Sequence, residues 1–208
     1  MKRGRGCAKT LGCLLLASAA FAFVLTTARA GPYEDGVAAN GSGQYALAMQ
    51  LWRPLAEQGD ADAQFALAAM YELGRGVSRD KLEALKWFRR AAEQGDAGAQ
   101  FAVASAYAAG EIVPKDYGEA TKWFLRTANQ GDIFAQIALA GAYAQGLGVQ
   151  KDMVEALKWL DVAAAANGLN GKAAESRDAF AHSLTPAQVD EAQRRAAEWK
   201  LKPERPPR

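Results

Sequence analysis

Cysteine is confined to two positions, Cys7 and Cys13, and histidine to one, His182, in a chain of 208 residues. With no cysteine beyond residue 13, and a lone histidine, the sequence offers neither a nucleophile–base triad nor a zinc ligand set. His182 is read as a surface or packing residue near a helix end, and no catalytic residue, cofactor site or metal site is predicted. Net positive charge is also missing where it would matter. Five of the 25 Lys and Arg residues lie in the first 30 positions, which hold no acid, so the rest of the chain carries 20 bases against 23 acids. The sequence pI of about 8.5 therefore belongs to the N-terminal segment, and nucleic-acid binding is not expected of the remainder.

That segment has the form of an export signal. Lys2, Arg3, Arg5 and Lys9 precede the apolar run from Thr10 to Thr27, which ends at Ala28-Arg29-Ala30. A basic start, an apolar stretch and a small-x-small site predict a secretory signal peptide over 1–30, cleaved after Ala30. The alternative is a signal anchor, since the run approaches the roughly 20 residues needed to cross a bilayer. Cleavage removes both cysteines, so no disulfide is expected although the destination is oxidising. The expected location is the periplasm, with no membrane association after cleavage; the extracellular space and inner-membrane anchoring are the alternatives.

What the sequence does contain is itself, three times over. QGD-x-x-AQ begins at Gln58, Gln94 and Gln130, a period of 36, and ungapped units start at Ala61, Ala97 and Ile133. The positions of Ala63, Gln64, Ala66, Ala68, Tyr71, Gly74, Val77, Asp80, Glu83, Ala84, Lys86, Trp87 and Ala92 are identical in all three. Repetition at such a period is the mark of a stacked array. The predicted organisation is a degenerate helical pair over 31–60, repeats over 61–96, 97–132 and 133–168, capping helices over 169–200, and a disordered tail over 201–208.

Each unit reads as two helices. In the second, small or apolar residues at 84, 87, 88, 91 and 92 form one stripe, repeated at 120–128 and 156–164 and foreshadowed at 48–56. Asp80 with Glu83, Asp116 with Glu119, and Asp152 with Glu155 have capping-box spacing at its start. The first helix places Ala63, Leu67 and Tyr71 on one face, with Asp60, Asp96 and Asp132 as N-caps. Gly74, Gly110 and Gly146 end it in the left-handed region, where glycine has no steric penalty. Pro54 should kink or shorten the second helix of the first pair. Thr185-Pro186-Ala187-Gln188 opens the last helix with a cap, a proline at the first position and a capping-box Gln.

These letters, AxAQxxLAxMYxxGxGVxxDxxEAxKWxxxAAxQGD, resemble the Sel-one-like repeat (SLR), a relative of the tetratricopeptide repeat, over residues 61 to 168. The resemblance implies an all-α, right-handed alpha-alpha superhelix, a solenoid of stacked helical hairpins. It also implies a non-catalytic adaptor of the bacterial envelope that binds a protein or peptide on its concave face, with envelope signalling a possible pathway. The alternatives are an accessory protein or enzyme of cell-wall or exopolysaccharide metabolism, and a secreted host-interaction factor. Cysteine-rich relatives with disulfide-linked hairpins and β-lactam binding offer no parallel here.

Several features with a chemical look have structural readings. The Gly74/Gly76 and Gly146/Gly148 pairs follow helices rather than strands, so they are helix stops and not phosphate loops. Trp87, Trp123 and Trp159 sit in buried stripes with Tyr107 and Tyr143 as further fillers, which argues against sugar platforms. Arg75, Arg79, Arg89 and Arg90 read as a solvated face. The candidate partner surface lies where the units differ, on the first helices: Asp62, Phe65, Ala69 and Leu73; Gly98, Phe101 and Ser105; Phe134, Ile137, Gly141 and Gln145. Ten helical turns of 3.6 residues make up the period, so these positions should align as ladders. The resemblance places them in a concave groove; the competing reading packs Phe65, Phe101 and Ile137 between units.

Overall fold

A computed structural model describes residues 31–167 and 172–205. The expected signal peptide, and residues 168–171 and 206–208, lie outside the described residues. Among the described residues there are ten α-helices and no strand. They run α1 Pro32–Gly41, α2 Tyr45–Glu57, α3 Ala61–Leu73, α4 Lys81–Glu93, α5 Ala97–Ala109, α6 Tyr117–Asn129, α7 Ile133–Gln145, α8 Met153–Asn167, α9 Lys172–His182 and α10 Pro186–Glu198. Each helix from α1 to α8 packs on the next, both within hairpins and between them, as an alpha-alpha repeat array requires. The chain then departs from the period: α10 packs on α8, while α9 touches it only lightly.

Small residues set the spacing. Ala63, Ala68, Ala99, Ala104 and Ala135 are fully buried, and so are Leu67, Val103 and Leu139 at one shared repeat position. Burying each of these three stabilises the array by about 1.5–3 kcal/mol, which a hairpin standing alone could not achieve because its outer stripe would face water. Trp87 and Trp159 are buried in the stripe, with Arg90 stacked 4.4 Å from the Trp87 ring centre and Lys158 lying 3.5 Å from that of Trp159. Their faces are occupied, which removes the sugar-platform reading. The arginines are dispersed over separate partners: Arg75 over Tyr45, Arg79 on the Glu72 carbonyl and Arg89 on the Tyr107 hydroxyl.

Asp60, Asp96 and Asp132 accept from the amides of Ala63, Ala99 and Ala135, and Gly74, Gly110 and Gly146 adopt φ of 68°, 73° and 74°. Gly76 and Gly148 have a second reason to lack a side chain. A Cβ there would strike the backbone of Tyr45 or of Tyr117, where each loop crosses the start of the previous hairpin's second helix. They are packing glycines.

Two local expectations change. The pairs beginning at Asp80, Asp116 and Asp152 are single caps rather than capping boxes. Each Asp accepts from helix amides, but its own N–H donates to the carbonyl of Tyr71, Tyr107 or Tyr143. Glu83, Glu119 and Glu155 turn instead to Lys86, Lys122 and Lys158, one turn along, at 2.6–2.8 Å. A full capping box forms only at Thr185 and Gln188 among the described residues. Pro54 lies in the last turn of α2, which continues to Glu57, so its missing donor shortens nothing.

Candidate functional site

The QGD-x-x-AQ stretch is the joint between hairpins, and a glutamine ladder holds it. Gln64, Gln100 and Gln136 are buried and donate through Nε2 to the carbonyls of Ala56, Ala92 and Ala128 at 3.0–3.2 Å. Gln94 and Gln130, from the ends of α4 and α6, donate to the side-chain oxygens of Gln64 and Gln100 at 2.8 Å. The third rung is incomplete: Ala166 stands where the next glutamine would be, and Gln136 Oε1 has no hydrogen-bond partner among the described residues.

Over 201–205 the tail runs along these joints, where disorder was expected; the rest of that expectation, 206–208, lies outside the described residues. Trp199 anchors it by an edge-on contact with Trp159, centroids 6.2 Å apart, and by donating to Asn129 Oδ1 at 3.2 Å. The Lys202 N–H donates to the Asn129 carbonyl at 2.7 Å and the Glu204 N–H to Gln130 Oε1 at 3.4 Å. Pro203, between them, has no N–H to satisfy. Leu201 and Glu204 lie against Gly131 and Gly95, which hold φ of 95° and 88° and where a Cβ would come within 2.7 and 2.8 Å of the tail.

Glu204 is gripped from two sides. Arg126 donates Nε and Nη2 to its carboxylate at 2.9 and 2.6 Å, and Gln100 donates at 2.8 Å. The Arg126 hydrogen bonds, helped by Gln100, hold the Glu204 carboxyl below the ordinary carboxylate range against the opposing cost of desolvation. Arg205 bridges Asp62 and Asp96, each at 3.0 Å. Asp96 thus caps α5 with one oxygen and holds the tail with the other.

The ladder of variable positions divides. Phe65 and Phe101 pack edge-on against Phe88 and Phe124 of their own hairpins, at 5.4 and 5.5 Å. Phe65 also covers Gly98, where a Cβ would meet its ring. Packing therefore accounts for Phe65 and much of Phe101. Leu73, Ile137 and Phe134 face outward, Phe134 with 71% of its surface exposed, and Gln145 is exposed beside Gly141; Ala69 is half-buried.

Phe101 and Ser105 also line a cleft of about 360 Å³ between repeats one and two, floored by Leu85 and Phe88. Its charged edge is Glu72 with the Lys81–Glu111 ion pair, 3.2 Å. Glu111-Ile112 replaces Arg75-Gly76 here, so an isoleucine lines the cleft where other loops press a glycine onto backbone. The residues missed in the sequence are those of the joints and loops: Gln100, Arg126, Glu204 and Arg205, then Lys81, Glu111 and Ile112. Lys81, Glu111 and Ile112 could have been found as departures from the repeat, whereas Gln100 is one of its shared positions and gave no such signal.

Among the described residues no group of three or more His, Cys, Asp or Glu could hold a metal ion, and no helix is long and apolar enough to cross a membrane. His182 donates its Nδ1–H to the Asp178 carbonyl, 2.7 Å away.

The Sel1 repeat family model matches four successive units, at residues 28–60, 61–96, 97–132 and 133–168. Thus the pair α1–α2 is a repeat in its own right. Among solved structures, the chain is similar to c5321, a protective antigen present in uropathogenic Escherichia coli strains displaying an SLR fold. That match has 28% identity and a TM-score of 0.56, covering 81% of this chain and 44% of the other. It is also similar to a Sel1 repeat protein from Oxalobacter formigenes, with 38% identity, a TM-score of 0.61, and coverage of 65% and 39%. The chain spans less than half the length of either relative. No match was found among curated proteins. Sel1 repeats generally serve as scaffolds for protein interaction. Its four consecutive repeat units make this chain a member of the Sel1 repeat family.

Proposed function

We propose that this protein is an exported, non-catalytic scaffold of the bacterial envelope that binds a protein or peptide partner on the concave face formed by its first helices. The observation that carries the reading is the exposure of Phe134, together with Leu73 and Ile137, at equivalent faces of α3 and α7. Large apolar side chains left outside a well-packed array are the kind of anchor from which a few residues supply most of an interface's affinity. The cleft at Phe101 and Ser105 offers a recess between them. The N-terminal sequence supports export to the periplasm.

A photo-crosslinking residue at position 134, compared in cells with one at the exposed but off-ladder Leu125, tests the assignment. A discrete partner adduct from position 134 alone is expected. Equal yields from both positions, or none from 134, would overturn it. Fractionation of the same cells checks the compartment, with a cytoplasmic pool refuting export.

A further inference from the structure

The loop between α5 and α6 breaks a pattern that the loops before and after it keep, and the cleft opens beside it. Tyr45, Lys81 and Tyr117 are equivalent positions 36 residues apart, as are Gly76, Ile112 and Gly148 in the loops. In the first and third loops the glycine, at φ of 71° and 70°, lies so close to the backbone of Tyr45 or Tyr117 that a Cβ would come within 2.6 or 2.1 Å. Ile112 carries the Cβ that this contact forbids, so the second loop cannot close on the start of α4 in the same way. Its neighbour also lets go of the preceding helix. Arg75 and Leu147 donate their N–H back to the carbonyls of Met70 and Ala142 at 3.0 and 2.9 Å, and among the described residues Glu111 makes no such bond. The third loop has a further tie, from Thr121 Oγ1 to the Leu147 carbonyl at 3.0 Å; here Leu85 stands at the position of Thr121.

The space so left is the cleft of about 360 Å³, at the lower end of the range for ligand pockets and suited to side chains. Its floor is the buried Leu85 and Phe88, and half-buried Phe101 and Ile112 line it. The charged residues that line it are Glu72, Lys81 and Glu111. Lys81 and Glu111 pair with each other at 3.2 Å. Glu72 is exposed, and Arg79 donates its Nε to the Glu72 carbonyl rather than to the carboxylate. An apolar recess therefore has an edge with one carboxylate in excess.

We propose that this cleft is an anchor pocket of the partner-binding surface, and that its occupant is a peptide segment of the partner in which a large apolar side chain is followed by lysine or arginine. The assignment deepens the scaffold reading and rests on it. The apolar side chain displaces water from the space between Phe88, Phe101 and Ile112, and that burial supplies the affinity. The cation settles at Glu72, beside the Lys81–Glu111 pair, and supplies the selectivity. An acidic segment would bring a second anion to the same edge, so repulsion excludes it while attraction admits the basic one.

The test titrates the full chain with a labelled, end-blocked hexapeptide, Gly-Ser-Phe-Arg-Ser-Gly, and with two controls in which its phenylalanine becomes alanine or its arginine becomes glutamate. Fluorescence anisotropy reads the affinity. The alanine control is expected to bind roughly tenfold or more weakly, and the glutamate control about threefold or more weakly. Glu72→Gln should abolish the preference for arginine over glutamate and keep that for phenylalanine over alanine. Ser105→Phe, which fills the cleft, and Ile112→Gly, which restores the residue of the other two loops and lets this one close, should each weaken binding of the first peptide roughly tenfold or more. Circular dichroism verifies that the variants keep their helices. Absence of binding, equal affinity for the phenylalanine and alanine peptides, a charge preference that survives Glu72→Gln, or binding undiminished in folded Ser105→Phe and Ile112→Gly overturns the proposal. The adduct at position 134 is read separately, in cells: an adduct without peptide binding overturns the cleft assignment and leaves the scaffold reading standing, whereas peptide binding without an adduct supports the cleft and overturns the ladder.

Discussion

Replacing one glutamine of the ladder with methionine should have a cost that depends on which unit carries it, although the three units use the same residue. Methionine keeps much of the volume and loses the polar ends. At Gln100 the change removes two donated bonds, to Ala92 and Glu204, and one accepted from Gln130. At about 0.5–1.5 kcal/mol net each, the loss is on the order of 2–3 kcal/mol. At Gln64 two bonds go, one to Ala56 and one from Gln94. At Gln136 a single bond to Ala128 is lost, and a buried oxygen without a partner disappears with it. Removing such a group regains about 1–3 kcal/mol of desolvation, so Gln136→Met should be close to neutral. In each case the carbonyl that loses its glutamine keeps a bond from the joint glycine's N–H, which prevents a larger penalty. Urea titration followed by far-ultraviolet circular dichroism should rank the variants Gln100, Gln64, Gln136 in decreasing loss. In a chain of this size the first should also melt several degrees lower, at about 2–4 °C per kcal/mol. Equal losses at Gln100 and Gln136 would refute the reasoning, because they would mean that volume alone sets the cost.

Three further outcomes follow from the same contacts. Ala166→Gln supplies the missing donor of the third rung and should raise the thermal midpoint, whereas no change would show that Gln136 Oε1 is already satisfied in solution. Asp80→Ala should cost about 1 kcal/mol as a lost N-cap, measured by urea titration, while Glu83→Ala should cost less and only at low salt, since Glu83 serves Lys86 rather than the cap. The tail's attachment should depend on pH. Glu204 titrates lower when docked than when free, so its contribution is fully present above the ordinary carboxylate value and is lost as pH falls through the lowered one. Leu201 methyl shifts followed during acid titration should report release in that window, and release on raising the pH would reverse the assigned sign.

The array was legible because its instructions are local and written three times. Asp at the start of a helix, glycine at its end and a stripe spaced by three and four act within a few residues, and the structure shows all three. Reciprocal capping failed for a local reason as well: Lys86, three residues beyond Glu83, competes for the carboxylate and wins. The tail was illegible for a different reason. Leu-Lys-Pro-Glu-Arg has too few apolar residues to announce a packed segment, and its hydrogen-bond and ion-pair partners stand 73 to 143 residues away. Only the folded array brings Gln100, Arg126 and Asp96 to one line. Phe65 and Phe134 illustrate the same limit within the ladder. Both are phenylalanines on first helices, but Phe65 meets Phe88 and the bare Gly98, whereas Phe134 is left largely exposed.

The proposed function assigns the building of the array to residues that the units share and partner binding to residues that change between them. Phe134→Ser measures it most directly, with thermal midpoint and the crosslinked partner adduct from position 137 read on the same variant. An unchanged midpoint is expected, since 71% of that residue's surface is exposed, together with loss of the adduct. A midpoint lowered as much as by truncating a buried residue such as Leu139, or an adduct that persists undiminished, would contradict it.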